Sequence, residues 1–306
     1  MVLMFISIIL SMVLSMAFFT LIERKQMAYA QLRKGPNKVS LSGTLQPIAD
    51  AVKLLMKEWL KPMRTNKSPF LLAPSLMLLI SLMMWTFMPM ENQQTHYQYA
   101  LIMFLVFMSL NVYPALISGW VSNSKYASIG SMRAVAQTIS YEITMAIILL
   151  TALSIPMSFS AYKIMEHQQI MWTMMLLPWM AIMWAVAVAA ETNRTPFDLV
   201  EGESELVSGF NIEYSSAGFT MIFIAEYISI LLMSFMTTLI FLGGKSILLF
   251  NLSLALTMKT LIVSMLLIMM RFSLPRVRYD MLMELTWTIM LPWSLISLMY
   301  LVPLMT

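Results

Sequence analysis

The sequence predicts an all-α, polytopic membrane helix bundle with about eight transmembrane helices plus one interfacial amphipathic helix. The 306 residues are 59% hydrophobic and only 11% charged, with a mean hydropathy of +0.78, whereas soluble domains carry about 25% charged residues. The apolar residues form long continuous runs, which favours helices over the alternating strands of a barrel. Because a chain in lipid must satisfy its own backbone hydrogen bonds, these runs should be helical. We expect a single membrane domain over residues 1–306.

Eight apolar runs are the predicted spans. Span 1 should cover residues 2–22 and stop at the charged residues 23–25. It is too long and too uniformly apolar for a cleavable leader, so we expect it to remain in the protein. Prolines 114, 178 and 292 should kink their spans. The other spans are expected at about residues 70–89, 99–119, 135–156, 170–190, 218–242, 252–270 and 285–303.

Residues 44–60 are predicted to form an amphipathic helix. Apolar residues recur there at three- and four-residue steps, and polar residues fill the opposite face. Thr44 can cap the start, Pro47 is tolerated in the first turn, and Pro62 should stop the helix. Such a helix is too short to span, so we expect it to lie along the membrane interface.

The distribution of bases orients the predicted bundle. The loops after spans 1, 3, 5 and 7 carry 16 Lys and Arg residues, and the loops after spans 4 and 6 carry one each. By the positive-inside rule, the basic loops share one side and both termini lie on the other.

Residues 191–217, here called the acidic segment, form a predicted loop on the basic side. Asp198, Glu201 and Glu205 step by three and four residues and would share one face of a helix, while Glu203 would point elsewhere. Two carboxylates about 7 Å apart repel by roughly 2 kcal/mol at an effective dielectric of about 20. Some of these acids should therefore have raised pKa values and exchange protons when a nearby charge changes. The alternative is a solvated loop with Arg194 as its counter-ion.

Three ionisable residues fall inside predicted spans, namely Glu142, Glu226 and Lys259. A charge at the bilayer centre costs about 2.5–3.5 kcal/mol on insertion scales. The two acids either line a proton path or form buried pairs that fix packing. Lys259 either takes part in such a path or extends its ammonium group to the interface.

The chain has no cysteine and two histidines. It therefore cannot hold an Fe–S cluster by thiolates or form a disulfide. His96 and His167 lie in predicted loops without ligand spacing, so we expect no metal site. If the protein takes part in redox chemistry, another chain must carry the metal centres.

Several motifs together resemble the subunit 1 family of mitochondrial NADH:ubiquinone oxidoreductase, respiratory complex I. The resemblance covers the full chain, and the acidic segment is its most specific part. The matching residues are 23–25, 31–37, 45–50, 122–126, 133–142, 191–214, 225–227 and 275–280.

The resemblance implies a chamber for the ubiquinone head group and a path of acids leading from it to proton-pumping subunits. The chamber would be lined by span 1, the amphipathic helix and span 6, through Arg24, Arg33, Asp50, Lys53, Leu54, Phe219 and Phe223. The proton path would contain Glu142, Glu191, Asp198, Glu201, Glu203, Glu205 and Glu226. Glu23 and Glu213 would flank it, and Arg194 and Arg276 would hold the loop in place.

The resemblance also implies the setting of the protein. It would be a subunit of an H⁺-translocating NADH:ubiquinone reductase in the mitochondrial inner membrane, with its basic loops in the matrix and both termini toward the intermembrane space. Ubiquinone would be the substrate, while FMN and Fe–S clusters would lie on partner subunits. The partners would be the hydrophilic quinone-site subunits, the membrane proton-pumping subunits and lipids such as cardiolipin, with no nucleic acid.

Two other readings remain open at this point. A stand-alone proton-coupled transporter would use the intramembrane acids, but such proteins usually show internal repeats and paired broken helices, and the sequence shows no repeat. The related subunit of membrane-bound hydrogenases shares the acidic motif and has no quinone chamber. The absence of cysteine and the 35 methionines, an organellar character, argue against the hydrogenase.

Overall fold

The computed structural model describes residues 2–60, 62–63, 65–89, 97–169, 171–200, 202, 206–243 and 252–305, and all regular structure in these ranges is helical. The helices are α1 Val2–Ala30, α2 Gln46–Met56, α3 Lys67–Thr86, α4 Ala100–Val121, α5 Lys125–Ser154, α6 Ala161–His167, α7 Thr173–Leu176, α8 Pro178–Glu191, α9 Ser216–Phe241, α10 Leu252–Ser273, α11 Tyr279–Glu284 and α12 Leu291–Met305. Short 3₁₀ turns lie at Leu41–Gly43 and Gly209–Asn211, and a π-helical stretch, Leu285–Met290, joins α11 to α12.

Within those ranges, seven helical segments are long and apolar enough to cross a membrane, which confirms the predicted helical membrane bundle. The remaining predicted span, the fifth, is divided into α7 and α8. Leu177 leaves the helical conformation at φ −129° and ψ 64° just before Pro178. The cause is local, since a proline disfavours the helical conformation in the residue before it and supplies no N–H to the preceding turn.

The first helix is longer than predicted. α1 continues through residues 23–25 to Ala30 instead of stopping there. A charged residue ends an apolar segment only if it must reach water, and Glu23 is only 3% exposed and paired inside the protein.

The amphipathic helix is shorter than the predicted range 44–60. Its N-cap is Leu45, and no side chain caps it, so the prediction for Thr44 is wrong; Pro47 does lie in the first turn. The helix ends at Met56, well before Pro62, and Lys57 is extended. At this end of the helix, the Ser216 hydroxyl donates to backbone carbonyls. Its oxygen lies 2.7 Å from the Lys57 carbonyl and 3.2 Å from the Leu54 carbonyl. The location of α2 at the membrane surface stays a prediction.

The centre of the bundle is formed by α5 and α9. Both are the most buried of the long helices, and their inward residues contribute much of the main core. α5 also approaches the end of the acidic segment closely, since a Cβ on Gly130 would lie 2.8 Å from the Cα of Gly209, whose φ is +59°. Two glycines therefore let α5 and the acidic segment touch backbone to backbone.

Candidate functional site

A buried ionic cluster joins α1, α9, α10 and the acidic segment. Glu23 of α1 accepts hydrogen bonds from Arg194 at 2.8 Å, from Arg271 and from the Tyr227 hydroxyl. The Arg194 guanidinium also lies 4.6 Å from the centre of the Tyr227 ring. We call Glu23, Arg194, Tyr227 and Arg271 the junction cluster. Two cations facing one buried carboxylate keep that acid in place, because each charge would be costly to bury without the others.

Arg194 of the junction cluster remains charged. Burial acts to lower the pKa of Arg194, but the neighbouring Tyr227 and Glu23 outweigh it, and Glu226 adds to them, so its pKa lies above the ordinary value. Glu226 is therefore within electrostatic reach of the cluster. A cavity of about 20 Å³ borders Glu23, Arg194 and Arg271, which is room for about one water molecule.

Three aromatic rings on α9 lead to the junction cluster. Phe219 stacks on Phe223 with ring centroids 5.6 Å apart, and Phe223 lies 4.7 Å from Tyr227. The residues are four apart, so one face of α9 presents all three rings. We call them the aromatic row. It begins one turn after Ser216, whose hydroxyl contacts the end of α2, and it finishes at Tyr227, which donates to Glu23.

Arg33 lies apart from the other six predicted chamber residues in the structure. Arg24 pairs with Asp50 of α2 at 2.5 Å, and Gln46 donates to the other oxygen of Asp50 at 2.9 Å. Lys53 lines an open, largely apolar groove on the outer face of α2, and the Leu54 carbonyl contacts α9 through Ser216. Arg33, in contrast, is exposed and donates to Gln31 at 2.9 Å. The structure thus places six of the seven around α2 and α9, namely Arg24, Asp50, Lys53, Leu54, Phe219 and Phe223.

Three further acids, Glu142, Glu191 and Asp198, lie in α5, at the end of α8 and in the acidic segment. Glu142 and Glu191 lie close enough for their charges to repel each other. Asp198 accepts a hydrogen bond from Arg276 at 3.0 Å, and the Arg276 guanidinium covers Gly202, where a Cβ would lie 3.2 Å from it. The Val277 N–H also donates to the carbonyl of Pro196 at 2.9 Å. The segment after α10 is therefore attached to the acidic segment at two points.

Part of the acidic segment does not have the helical geometry expected from its spacing. Asp198 lies in irregular backbone that follows Pro196, so it does not share a helical face with later acids. Glu201, Glu203 and Glu205 lie outside the described residues. Glu213 is half-buried just after the 3₁₀ turn Gly209–Asn211.

Two members of the junction cluster and one buried amide were not predicted from the sequence. Arg271 counted only as an orientation base, because a cation at the end of a span looks the same whether it meets water or a buried acid. Tyr227 belonged to a matching motif without an assigned role. Gln137, also in a motif, is fully buried and contacts both ends of the turn that follows α8.

Comparison with known proteins identifies the family of the chain. The sequence matches the NADH dehydrogenase family over residues 3–302. It is 49% identical over 299 residues to the NADH-ubiquinone oxidoreductase chain 1 of Papio hamadryas, covering 96% of this chain and 93% of the relative. The corresponding protein of Sarcophilus harrisii is 49% identical over 300 residues, covering 97% and 94%. That of Hylobates lar is 48% identical over 307 residues, covering 98% and 95%. The chain therefore belongs to the NADH dehydrogenase family, as a relative of NADH-ubiquinone oxidoreductase chain 1.

Proposed function

We propose that this chain is the core membrane subunit of a proton-pumping NADH:ubiquinone oxidoreductase. It forms a wall of the ubiquinone chamber and the acidic path that couples quinone reduction to proton translocation. The observation that carries the proposal is the junction cluster, since one buried group of charges contacts the aromatic row on one side and the acidic segment on the other.

The coupling is electrostatic. The Phe219 end of the aromatic row is the end that faces the proposed quinone chamber. A change of charge or of protonation there alters the electrostatic interactions among Glu23, Arg194 and Arg271. Because Arg194 belongs to the acidic segment, the change is felt by the acids of that segment. Charges about 7 Å apart interact by roughly 2 kcal/mol at an effective dielectric of about 20. That energy corresponds to more than one pKa unit, enough to move a proton between neighbouring acids such as Glu142 and Glu191.

The proposal extends to the substrate and the partners. The head group of ubiquinone is the substrate, and FMN and Fe–S clusters lie on partner subunits, as the family resemblance implies. This chain has no cysteine with which to ligate an Fe–S cluster. The partners are the hydrophilic quinone-site subunits and the membrane proton-pumping subunits. The apolar groove of α2, with Lys53 and Lys57 on its lining, suits anionic lipids such as cardiolipin. The basic loops face the mitochondrial matrix, and both termini face the intermembrane space.

Neutralising an acid of the path tests the proposal. In the assembled complex, Glu226→Gln should lower quinone-coupled proton pumping several-fold, because the site near Arg194 can no longer change charge. NADH oxidation by artificial acceptors should be unchanged, since it does not pass through this chain. Glu203→Gln should behave in the same way.

A matched control is Glu284→Gln, which removes an exposed acid outside the motifs and should alter neither activity. If pumping and artificial-acceptor activity fell together in the Glu226 variant, the residue would act through assembly, and the proposal would be wrong.

A further inference from the structure

The side chain of Gln137 contacts the backbone next to two acids of the proposed path. It is fully buried in α5, and its Nε2 donates to the carbonyl of Ala190 at 2.8 Å and to that of Phe197 at 3.0 Å. Each of these residues directly precedes an acid, Glu191 in one case and Asp198 in the other. One amide group therefore fixes the two ends of the turn that carries both acids.

The orientation of the amide is determined by its neighbours. Two carbonyl oxygens within about 3 Å can be met only by the NH₂ end of a glutamine, because its oxygen has no proton to donate. The Oε1 atom must then point away from both carbonyls. It is buried and has no hydrogen-bond partner among the residues described.

Polar atoms on residues next to these contacts in the chain share this condition. The Tyr141 hydroxyl, one turn further along α5, the Glu191 Oε2 and the Asp198 Oδ1 are also buried without a partner in the described part of the chain. Native proteins leave few buried polar atoms unpaired, and ordered water usually serves them. Three of the four atoms are acceptors when the acids are ionised, so they call for a molecule that donates.

We propose that Gln137 is a positioning residue of the proton path, which fixes Glu191 and Asp198 on either side of a buried water site and accepts a hydrogen bond there through Oε1. An amide neither gains nor loses a proton in the working pH range. Its oxygen therefore favours a donor, either water or a protonated carboxyl group, whatever the state of the acids. The inference rests on the proposed function, because it assigns a role within that path.

Two substitutions in the assembled complex separate positioning from packing. Gln137→Met keeps the length of the side chain and removes its hydrogen bonds. It should lower the number of protons pumped per NADH several-fold and shift the pH profile of the coupled reaction, with artificial-acceptor activity unchanged. Gln137→Glu can donate to a carbonyl only when protonated, so its pumping should recover as the pH is lowered.

The chain offers a matched control at Gln168. This glutamine is also buried, and it also donates to a backbone carbonyl, that of Ile240 in α9. Its Oε1 is likewise without a partner among the described residues. It follows α6 and contacts the end of α9 that is far from the proposed path. Gln168→Met should lower thermal stability and leave the protons pumped per NADH and the pH profile unchanged. If the two methionine variants lost only stability, or if Gln137→Glu showed no recovery at low pH, the inference would be overturned.

A structure of the complex at water-resolving resolution gives an independent test. Density for a water molecule should lie within hydrogen-bond distance of Gln137 Oε1, and a dry, protein-filled contact there would refute the proposed site. If Glu226→Gln uncoupled pumping and Gln137→Met did not, only this inference would fail. If Glu226→Gln had no effect, the proposed function itself would fail.

Discussion

At the scale of single residues, Glu23 shows how much one contact decides. In the sequence it was an acid at the end of an apolar run, where an acid contributes nothing to orientation. In the structure it is buried between two arginines and a tyrosine from three other parts of the chain. Removing one partner from such a group is costly, because the charges that remain lose their compensation.

Tyr214 carries a buried polar group whose removal should cost little, in contrast to the partners of Glu23. Its ring stacks on Phe70 with centroids 4.3 Å apart, and burial raises the pKa of Tyr214. Its hydroxyl is buried without a partner in the described residues. Tyr214→Phe should therefore change the free energy of unfolding by less than about 1 kcal/mol. Tyr214→Leu, which loses the stacked ring, should cost on the order of 2–3 kcal/mol in thermal denaturation of the complex.

The pH dependence of the Tyr214→Phe variant follows from the direction of the pKa shift. A raised pKa means that the neutral phenol is favoured in the folded state, so its contribution is fully present below the ordinary value near 10 and is lost as pH rises beyond it. Parent and variant should show the same stability profile between about pH 6 and 9. A divergence within that range would mean that the hydroxyl has a titrating partner.

At the scale of elements, α9 organises the site. Its first half carries Glu226 and the aromatic row, which ends at Tyr227. Its far end is held by Lys259 of α10, whose ammonium group lies 2.9 Å from the Leu242 carbonyl, 2.6 Å from the Gly243 carbonyl and 4.9 Å from the centre of the Trp172 ring. The sequence left Lys259 open between a path residue and an extended surface lysine. The structure shows it buried as a cation at the negative end of a helix.

The Lys259 contact predicts a structural effect. Lys259→Met should destabilise the complex by on the order of 2–3 kcal/mol, because it removes charged hydrogen bonds from buried carbonyls. Lys259→Arg should recover part of this loss, and Lys163→Met, at an exposed position in α6, should have no measurable effect. Thermal denaturation provides the comparison. A Lys259→Met complex of normal stability would show that these contacts contribute nothing.

At the scale of the whole molecule, the chain is a set of membrane helices, and most of its Lys and Arg residues fall in loops that are predicted to share one side. A quinone reductase needs electrons, and this chain, without cysteine, holds no Fe–S cluster by thiolates. As a relative of NADH-ubiquinone oxidoreductase chain 1, the chain is expected to depend on other subunits for its activity, which a stand-alone transporter would not.

Purification tests that dependence. The tagged chain, isolated in mild detergent, should co-purify with subunits that contain flavin and Fe–S clusters, seen by absorption and electron paramagnetic resonance. An unrelated tagged membrane protein from the same source should bring none of them. A solitary protein that transports protons or solutes by itself would contradict the assignment and favour the transporter reading.

The membrane class, most of the helices and the family can all be predicted from the amino-acid sequence. Hydropathy is a sum over neighbouring residues, and helical hydrogen bonds join residues four apart. Membrane spans and helices can therefore be predicted from residues that are close together in the sequence. Even the break before Pro178 has a local cause, although we expected only a kink there. The end of α1 was misplaced, because whether Glu23 needs water depends on residues far away.

Which charged residues contact each other depends on the packing of the folded chain. Arg271 and Glu23 are 248 residues apart, and Gln137 contacts carbonyls 53 and 60 residues away. Nothing in the local pattern of a helix specifies such partners, because they depend on how the helices pack and on which faces turn inward. The acids could be named from the sequence, but the junction cluster that joins them to the aromatic row exists only in the folded chain.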